Sequence, residues 1–210
     1  MPDEPTVLGL LALVLLHDAR RATRTDAAGD LVTLEDQDRG RWDWGEIEEG
    51  TRLLEGALRR GRPGPYQVQA AIAACHAIAA DAAQTDWAQI ALLYGELARL
   101  VPSPVIELNR AVAVAMAEGP QVGLDLVAGI EAAGDLDGYY LLPATRADLL
   151  RRLGRAAEAA LSYRAARDLA ATDAERRYLD RRLAEMTGAM APPAPDGHLA
   201  DDPARPRPDG

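Results

Sequence analysis

The sequence predicts an all-α fold built as a solenoid of helical hairpins, on three observations. Alanine dominates the apolar residues and phenylalanine is absent, which suits helices approaching through small side chains better than strands of bulky, β-branched ones. Helix-length stretches with an apolar face follow one another, punctuated by Gly, Pro and Ser. From residue 85 onward equivalent residues recur: Ile90, Leu124 and Ala159 are separated by 34 and 35 residues, as are Tyr94, Ala128 and Tyr163, while the inter-helix glycines Gly119 and Gly154 lie 35 apart.

Length bounds the rest. The 210 residues suffice for one domain with a substantial core. Residues 1–62 read as N-terminal helices carrying an insertion, 63–187 as helical repeats of the same structural domain, and 188–210 as a disordered tail holding six of the 14 prolines.

In chain order, Asp3, Glu4 and Pro5 offer a capping acid and a first-turn proline for a helix over 6–20. Within it, Leu8-Gly9-x-x-Ala12 places a small residue where a partner helix would approach. So apolar a helix asks for a partner before it, and Met1 reads as a truncation boundary. The pattern then breaks: residues 21–24 and 31–34 form two short extended arms around a Gly-containing turn, a β-hairpin inserted near residues 21–35. Asp43 caps the next helix, 44–60, with Glu46 three residues on. Gly61-Arg-Pro-Gly-Pro stops it, and a helix over 66–80 follows. Asp86 with Gln89 caps 87–100, and helices over 105–118, 121–133, 139–153, 156–170 and 173–186 complete the array.

The 34-residue period is that of the tetratricopeptide repeat. Gly154, Ala159, Tyr163 and Ala166 supply a turn glycine, a small residue, an aromatic and a second small residue at that repeat's spacing. Tyr94 and Pro102 reproduce its aromatic-to-proline distance. The tryptophan usual in the first helix is missing, so the repeats are degenerate. Such a solenoid offers a groove for peptides or domains and has no intrinsic chemistry; Asn109, Arg110 and Arg146 are the groove candidates.

Charge narrows the function. The net charge of −10 leaves no broad basic face for phosphate backbones, so direct DNA binding by this fragment is not expected. The charge is uneven: residues 30–50 hold eight acids against two arginines, and residues 146–182 hold ten arginines against six acids. That asymmetry calls for a protein partner, or for one end of the domain packing on the other. The single cysteine, Cys75, excludes an internal disulfide and fits a reducing cytosol. The longest apolar run, residues 7–16, is too short to span a bilayer, which predicts a cytoplasmic protein with no membrane partner.

The mixed stretch over 31–43, Leu-Val-Thr-Leu-Glu-Asp-Gln-Asp-Arg-Gly-Arg-Trp-Asp, is the one that core packing alone does not call for. It brings Glu35, Asp36, Gln37, Asp38, Arg39 and Arg41 together, with Trp42 as anchor. Three readings stand. Asp36 and Asp38 could hold a divalent cation, although the ligand number and glycine of a calcium loop are missing. They could work as an acid/base pair, although no nucleophile or His accompanies them. Or the carboxylates and Arg20, Arg21, Arg39 and Arg41 form an ion network fixing the hairpin to the helices. His17 and His76 lack metal spacing and read as packing residues. No catalytic residue, metal or cofactor is assigned.

Several runs together resemble one family. They are Leu8-Gly-Leu-Leu-Ala-Leu, Leu16-His-Asp-Ala-Arg-Arg, the run over 34–43, the Gly61-Arg-Pro-Gly-Pro-Tyr-Gln-Val-Gln stretch, Thr85-Asp-Trp, and Pro102-Ser-Pro with Leu108-Asn-Arg-Ala-Val-Ala-Val-Ala. They are similar to the C-terminal tetratricopeptide-like extension of a subgroup of extracytoplasmic-function (ECF) RNA polymerase sigma factors, of the sigma-70 family, over residues 2–186. The resemblance implies a regulatory domain that controls transcription initiation through contacts with the sigma-factor N-terminal domains or the RNA polymerase core. It makes Glu35, Asp36, Gln37, Asp38, Arg39, Arg41 and Trp42 the partner-binding or switch element. The promoter-reading domains are not in this sequence, so no DNA-contacting residue carries over. The alternative is a ligand- or metal-sensing domain with a pocket between hairpin and repeats, lined by Asp36, Asp38, Arg39, His17 and His76.

Overall fold

The computed structural model describes residues 4–61 and 63–189, and within them the chain is all-α: nine helices and no strand. The helices are α1 (Pro5–Asp18), α2 (Trp44–Leu58), α3 (Pro65–Ile78), α4 (Trp87–Leu100), α5 (Pro104–Glu118), α6 (Pro120–Ala133), α7 (Leu141–Arg152), α8 (Ala156–Leu169) and α9 (Asp173–Ala189). Their starts follow from the sequence. Prolines open α1, α3, α5 and α6, where a missing N–H costs nothing. The Asp43 and Asp86 carboxylates accept the Glu46 and Gln89 amides at 3.1 and 2.9 Å, as the sequence predicts. The expected Pro-rich tail, His198 within it, and the Asp3 cap lie outside the described residues.

Helices α1, α2 and α3 pack on one another, and from α3 onward each helix packs on its neighbours in sequence. The core is accordingly a series of three clusters. The first joins Ala12, Leu16, Ile47, Leu54 and Ala70 with Trp42, the second lies between α3, α4 and α5, and the third runs from α5 to α9 around Tyr163 and Leu150. The small residues set the approach of the helices. A Cβ on Gly9 would fall 2.8 Å from the Gln67 side chain, and one on Gly123 would fall 2.4 Å from the Ala115 Cβ. The recurring Ile90, Leu124 and Ala159 are all buried, and the turn glycines Gly119 and Gly154 adopt φ of 113° and 73°. Ala128, by contrast, is exposed while Tyr163 at the equivalent position is buried.

The β-hairpin expected near residues 21–35 does not form. Arg21–Thr23 closes a 3-10 turn, and the two arms meet only at an isolated antiparallel bridge between Thr25 and Leu31. The physical reason is partly local and partly long-range. Asp26 turns its carboxylate onto the Ala28 and Asp30 amides, both at 2.9 Å, which makes a side-chain-stapled turn. Beyond Leu31 the chain is held by side chains of distant helices, so no second cross-strand pair follows.

Candidate functional site

Residues 24–43 form a strap that leaves α1, crosses to the far end of the array and returns to α2. Its inner side chains seat it. Trp42 is buried, and its indole N–H donates to the Thr23 hydroxyl at 3.0 Å. That hydroxyl lies 2.9 Å from the Arg20 carbonyl and 3.2 Å from the buried Gln37 Oε1, with one proton to serve them, while the Gln37 amide donates to the Val32 carbonyl at 3.3 Å. Arg39 donates to the His76 and Ala79 carbonyls, at 2.7 and 2.8 Å, at the C-terminal end of α3. Its guanidinium also lies 4.6 Å from the Trp42 ring centre. Desolvation depresses the Arg39 pKa, and the Asp81 carboxylate opposes it.

The acids of the strap bind arginines more than a hundred residues away. Asp30 takes Arg177 at 2.5 Å and also Arg181, both on α9. The Arg177 hydrogen bond holds the Asp30 carboxyl below its usual range, with Arg181 adding to it. Glu35 receives Arg152 of α7 at 2.8 Å, and Asp36 lies 4.0 Å from Arg182 of α9. Arg152 also holds Asp148 at 2.7 Å. Burial pushes the Asp148 carboxyl up, but the Arg152 and Arg151 hydrogen bonds outweigh it and leave its pKa lowered. The charge asymmetry between residues 30–50 and 146–182 is thus satisfied in part within the molecule, through Asp30, Glu35 and Asp36.

The sequence-predicted residues therefore divide. Gln37, Arg39 and Trp42 point inward as anchors, whereas Glu35, Asp36, Asp38 and Arg41 are exposed. Asp38 accepts the Gly40 amide at 3.0 Å and Asp36 accepts the Thr33 hydroxyl at 2.6 Å. An ion network does fix this segment, but among the described residues not the expected one: Arg21 pairs with Asp18 and Arg39 binds carbonyls, while Arg152, Arg177 and Arg181 take the strap's acids. Among the described residues no group of three or more His, Cys, Asp or Glu side chains assembles into a metal-binding set. Of the groove candidates, Asn109 lines a cavity, Arg110 pairs with Glu107 at 2.8 Å on its own helix, and Arg146 pairs with Glu131 of α6 at 3.1 Å. Sequence reasoning missed Thr23, Arg152, Arg177, Arg181 and Arg182; the charge asymmetry was the only signal pointing to the last four.

Two cavities flank Leu34, the strap residue that projects between them. One, about 300 Å³, lies toward α7, α8 and α9 and includes Arg39, His76, Trp87 and Tyr163. The other, about 360 Å³, lies toward α1, α3, α4 and α5 and includes His17, Arg20, His76, Tyr94 and Asn109. His76 borders both and packs edge-on to Trp87, with ring centres 5.1 Å apart. Burial, then the nearby Arg20 and Arg39, push its pKa down to about 4. Of the residues named for the alternative pocket, Arg39, His17 and His76 border these two cavities, Asp36 borders a third of about 350 Å³ between the strap and α9, and Asp38 borders none of the three.

The family of unknown function DUF6596 matches residues 1–58, the part that carries α1, the strap and α2. An uncharacterized protein of Rhizobium meliloti (strain 1021) is 47% identical over 191 residues, which is 90% of this chain and 44% of that protein. The chain thus spans less than half the length of the curated relative it matches. No solved structure matches the chain. Among the described residues no helix is long and apolar enough to cross a membrane.

Proposed function

We propose that this chain is the regulatory C-terminal domain of an ECF sigma factor, a tetratricopeptide-like helical solenoid without enzymatic activity that acts in the cytoplasm. It sets transcription initiation through contacts with the sigma domains or the RNA polymerase core. The observation that carries the reading is the two-sided strap: Gln37, Arg39 and Trp42 anchor it while Asp36, 66% exposed at its side chain, and Asp38 stay on the surface. An anchored segment with exposed acids costs little ordering entropy when it docks on a basic surface. The outward side of α1 supports a protein contact as well, because Val7, Leu10, Leu11 and Val14 are all more than 40% exposed on one short helix. Binding of the chain to sigma domains and to core polymerase, with and without Asp36→Arg and Asp38→Arg, tests this.

The second reading, ligand sensing, has its own observation. The two cavities beside Leu34 are of small-molecule size and share a wall with the strap, so an occupant would bear on the same element.

A further inference from the structure

Three arginines meet near the C-terminal end of α1, and none of them forms an ion pair among the described residues. Two are satisfied by backbone: Arg24 donates to the His17 carbonyl at 2.7 Å and Arg39 to the carbonyls ending α3. Arg20 is not. Arg20 as a whole is partly buried, and among the described residues its one side-chain hydrogen bond is to the His17 Nδ1 at 3.2 Å, itself a base. Burying a cation without a partner carboxylate is costly, and proteins seldom keep one without use.

The surroundings match that vacancy of charge. Arg20 borders the cavity of about 360 Å³, together with His17, His76, Tyr94 and Asn109. The His76 Nδ1 is buried without a hydrogen-bond partner. The remaining wall is apolar, with Ile72, Leu97 and Ile106 among its members. Among the described residues no carboxylate borders the cavity, in a protein whose net charge is −10. Desolvation, followed by repulsion from neighbouring arginines, lowers the pKa of His17, Arg20 and His76 alike, as expected where basic groups gather without a counterion.

We propose that this cavity binds a small organic acid, its carboxylate taken by Arg20 with help from the neighbouring polar groups and its apolar body laid against Ile72, Leu97 and Ile106. A guanidinium suits a carboxylate because it donates two parallel hydrogen bonds. The apolar wall selects an organic acid over an inorganic ion. Leu34 of the strap closes one side of the same cavity, so occupancy would brace the strap from within.

The test uses the whole chain with benzoate and hexanoate as probes, and benzamide and inorganic phosphate as comparisons. Melting temperature should rise with benzoate or hexanoate concentration, and the imidazole resonances of His17 and His76 should shift with the same midpoint. Benzamide, which lacks the charge, and phosphate, which lacks the apolar body, should each bind at least about tenfold more weakly. Arg20→Gln should abolish the response while leaving the chain at least as stable, because it removes a partly buried cation with no partner carboxylate among the described residues. Asn109→Leu, which adds apolar bulk to the cavity, should weaken binding and provides a second variant if Arg20→Gln does not fold. No shift with either acid at about 10 mM, or equal responses from the wild type and both variants, would overturn the proposal.

Discussion

Replacing Arg39 with methionine tests whether the strap is anchored as described. Methionine keeps the stem that packs beside Trp42 and removes the charged head. The lost interactions are two hydrogen bonds from one guanidinium nitrogen to the His76 and Ala79 carbonyls, at 2.7 and 2.8 Å, and the guanidinium over the Trp42 ring at 4.6 Å. A charge-assisted hydrogen bond contributes about 1.5–3 kcal/mol, and two that share one donor nitrogen are worth less than twice that. The ring contact adds about 0.5–1 kcal/mol. Relief of the repulsion between Arg39 and Arg20 works the other way. The expected net loss is about 2–3 kcal/mol, which for a chain of this size lowers the melting temperature by roughly 4–12 °C. Thermal and urea unfolding would measure it, with the exposed Arg41→Met as reference at about 0.5 kcal/mol or less. Arg39→Lys should recover no more than half, since one ammonium cannot reach both carbonyls and lie on the ring in the guanidinium's planar fashion. If Arg39→Met and Arg41→Met are indistinguishable, the anchoring account is wrong.

Further outcomes follow from the packing and charge. Gly123→Ala should destabilise by about 1 kcal/mol or more despite alanine's better helix propensity, because its Cβ meets the Ala115 Cβ and the Ala111 carbonyl at 2.4 and 2.8 Å; Gly129→Ala on the same helix, with nothing within 4 Å, should stabilise by about 0.5–1 kcal/mol, as chemical denaturation can compare. His76 ionises at about 4 in the folded chain against 6.5 in an unfolded one, so the unfolded state binds the extra proton between those values. Stability from this group is complete above pH 6.5 and falls by about 3 kcal/mol as pH drops toward 4, a slope that His76→Gln should remove from pH-dependent unfolding curves. Asp30→Asn should free the strap from Arg177 and Arg181 and speed tryptic cleavage after Arg24, whereas an unchanged cleavage rate would mean that those ion pairs do not hold it.

What could be read in advance was whatever depended on neighbours in sequence. Helix starts were legible because Asp43, Asp86 and the first-turn prolines act within one turn of their own position. The repeat glycines Gly119 and Gly154 were legible because only a turn needs their positive φ at that interval. The strap was not legible as a fold element. Its alternation of short arms and a glycine turn resembles a hairpin, yet a hairpin needs partners across a ladder, and here Arg152, Arg177 and Arg181 take that part from helices more than a hundred residues later. The motif's division of labour was likewise hidden. Nothing local says that Gln37 turns inward between two exposed acids; that depends on Thr23 standing where both Gln37 and Trp42 can reach it. The charge asymmetry did announce that two ends of the chain needed opposite charge, without deciding whether the second charge was internal.

The central claim is that an internally anchored strap presents Asp36 and Asp38 to a basic protein surface. The most direct measurement is the affinity of the whole chain for ECF sigma-factor N-terminal domains and for core polymerase, wild type against the Asp36→Arg, Asp38→Arg pair, with melting temperature recorded for both. The account predicts that the wild type binds at least one of them, and that the pair loses binding by about tenfold or more while remaining folded. Equal binding by a folded double variant, or no binding by a folded wild type to either target, would contradict it.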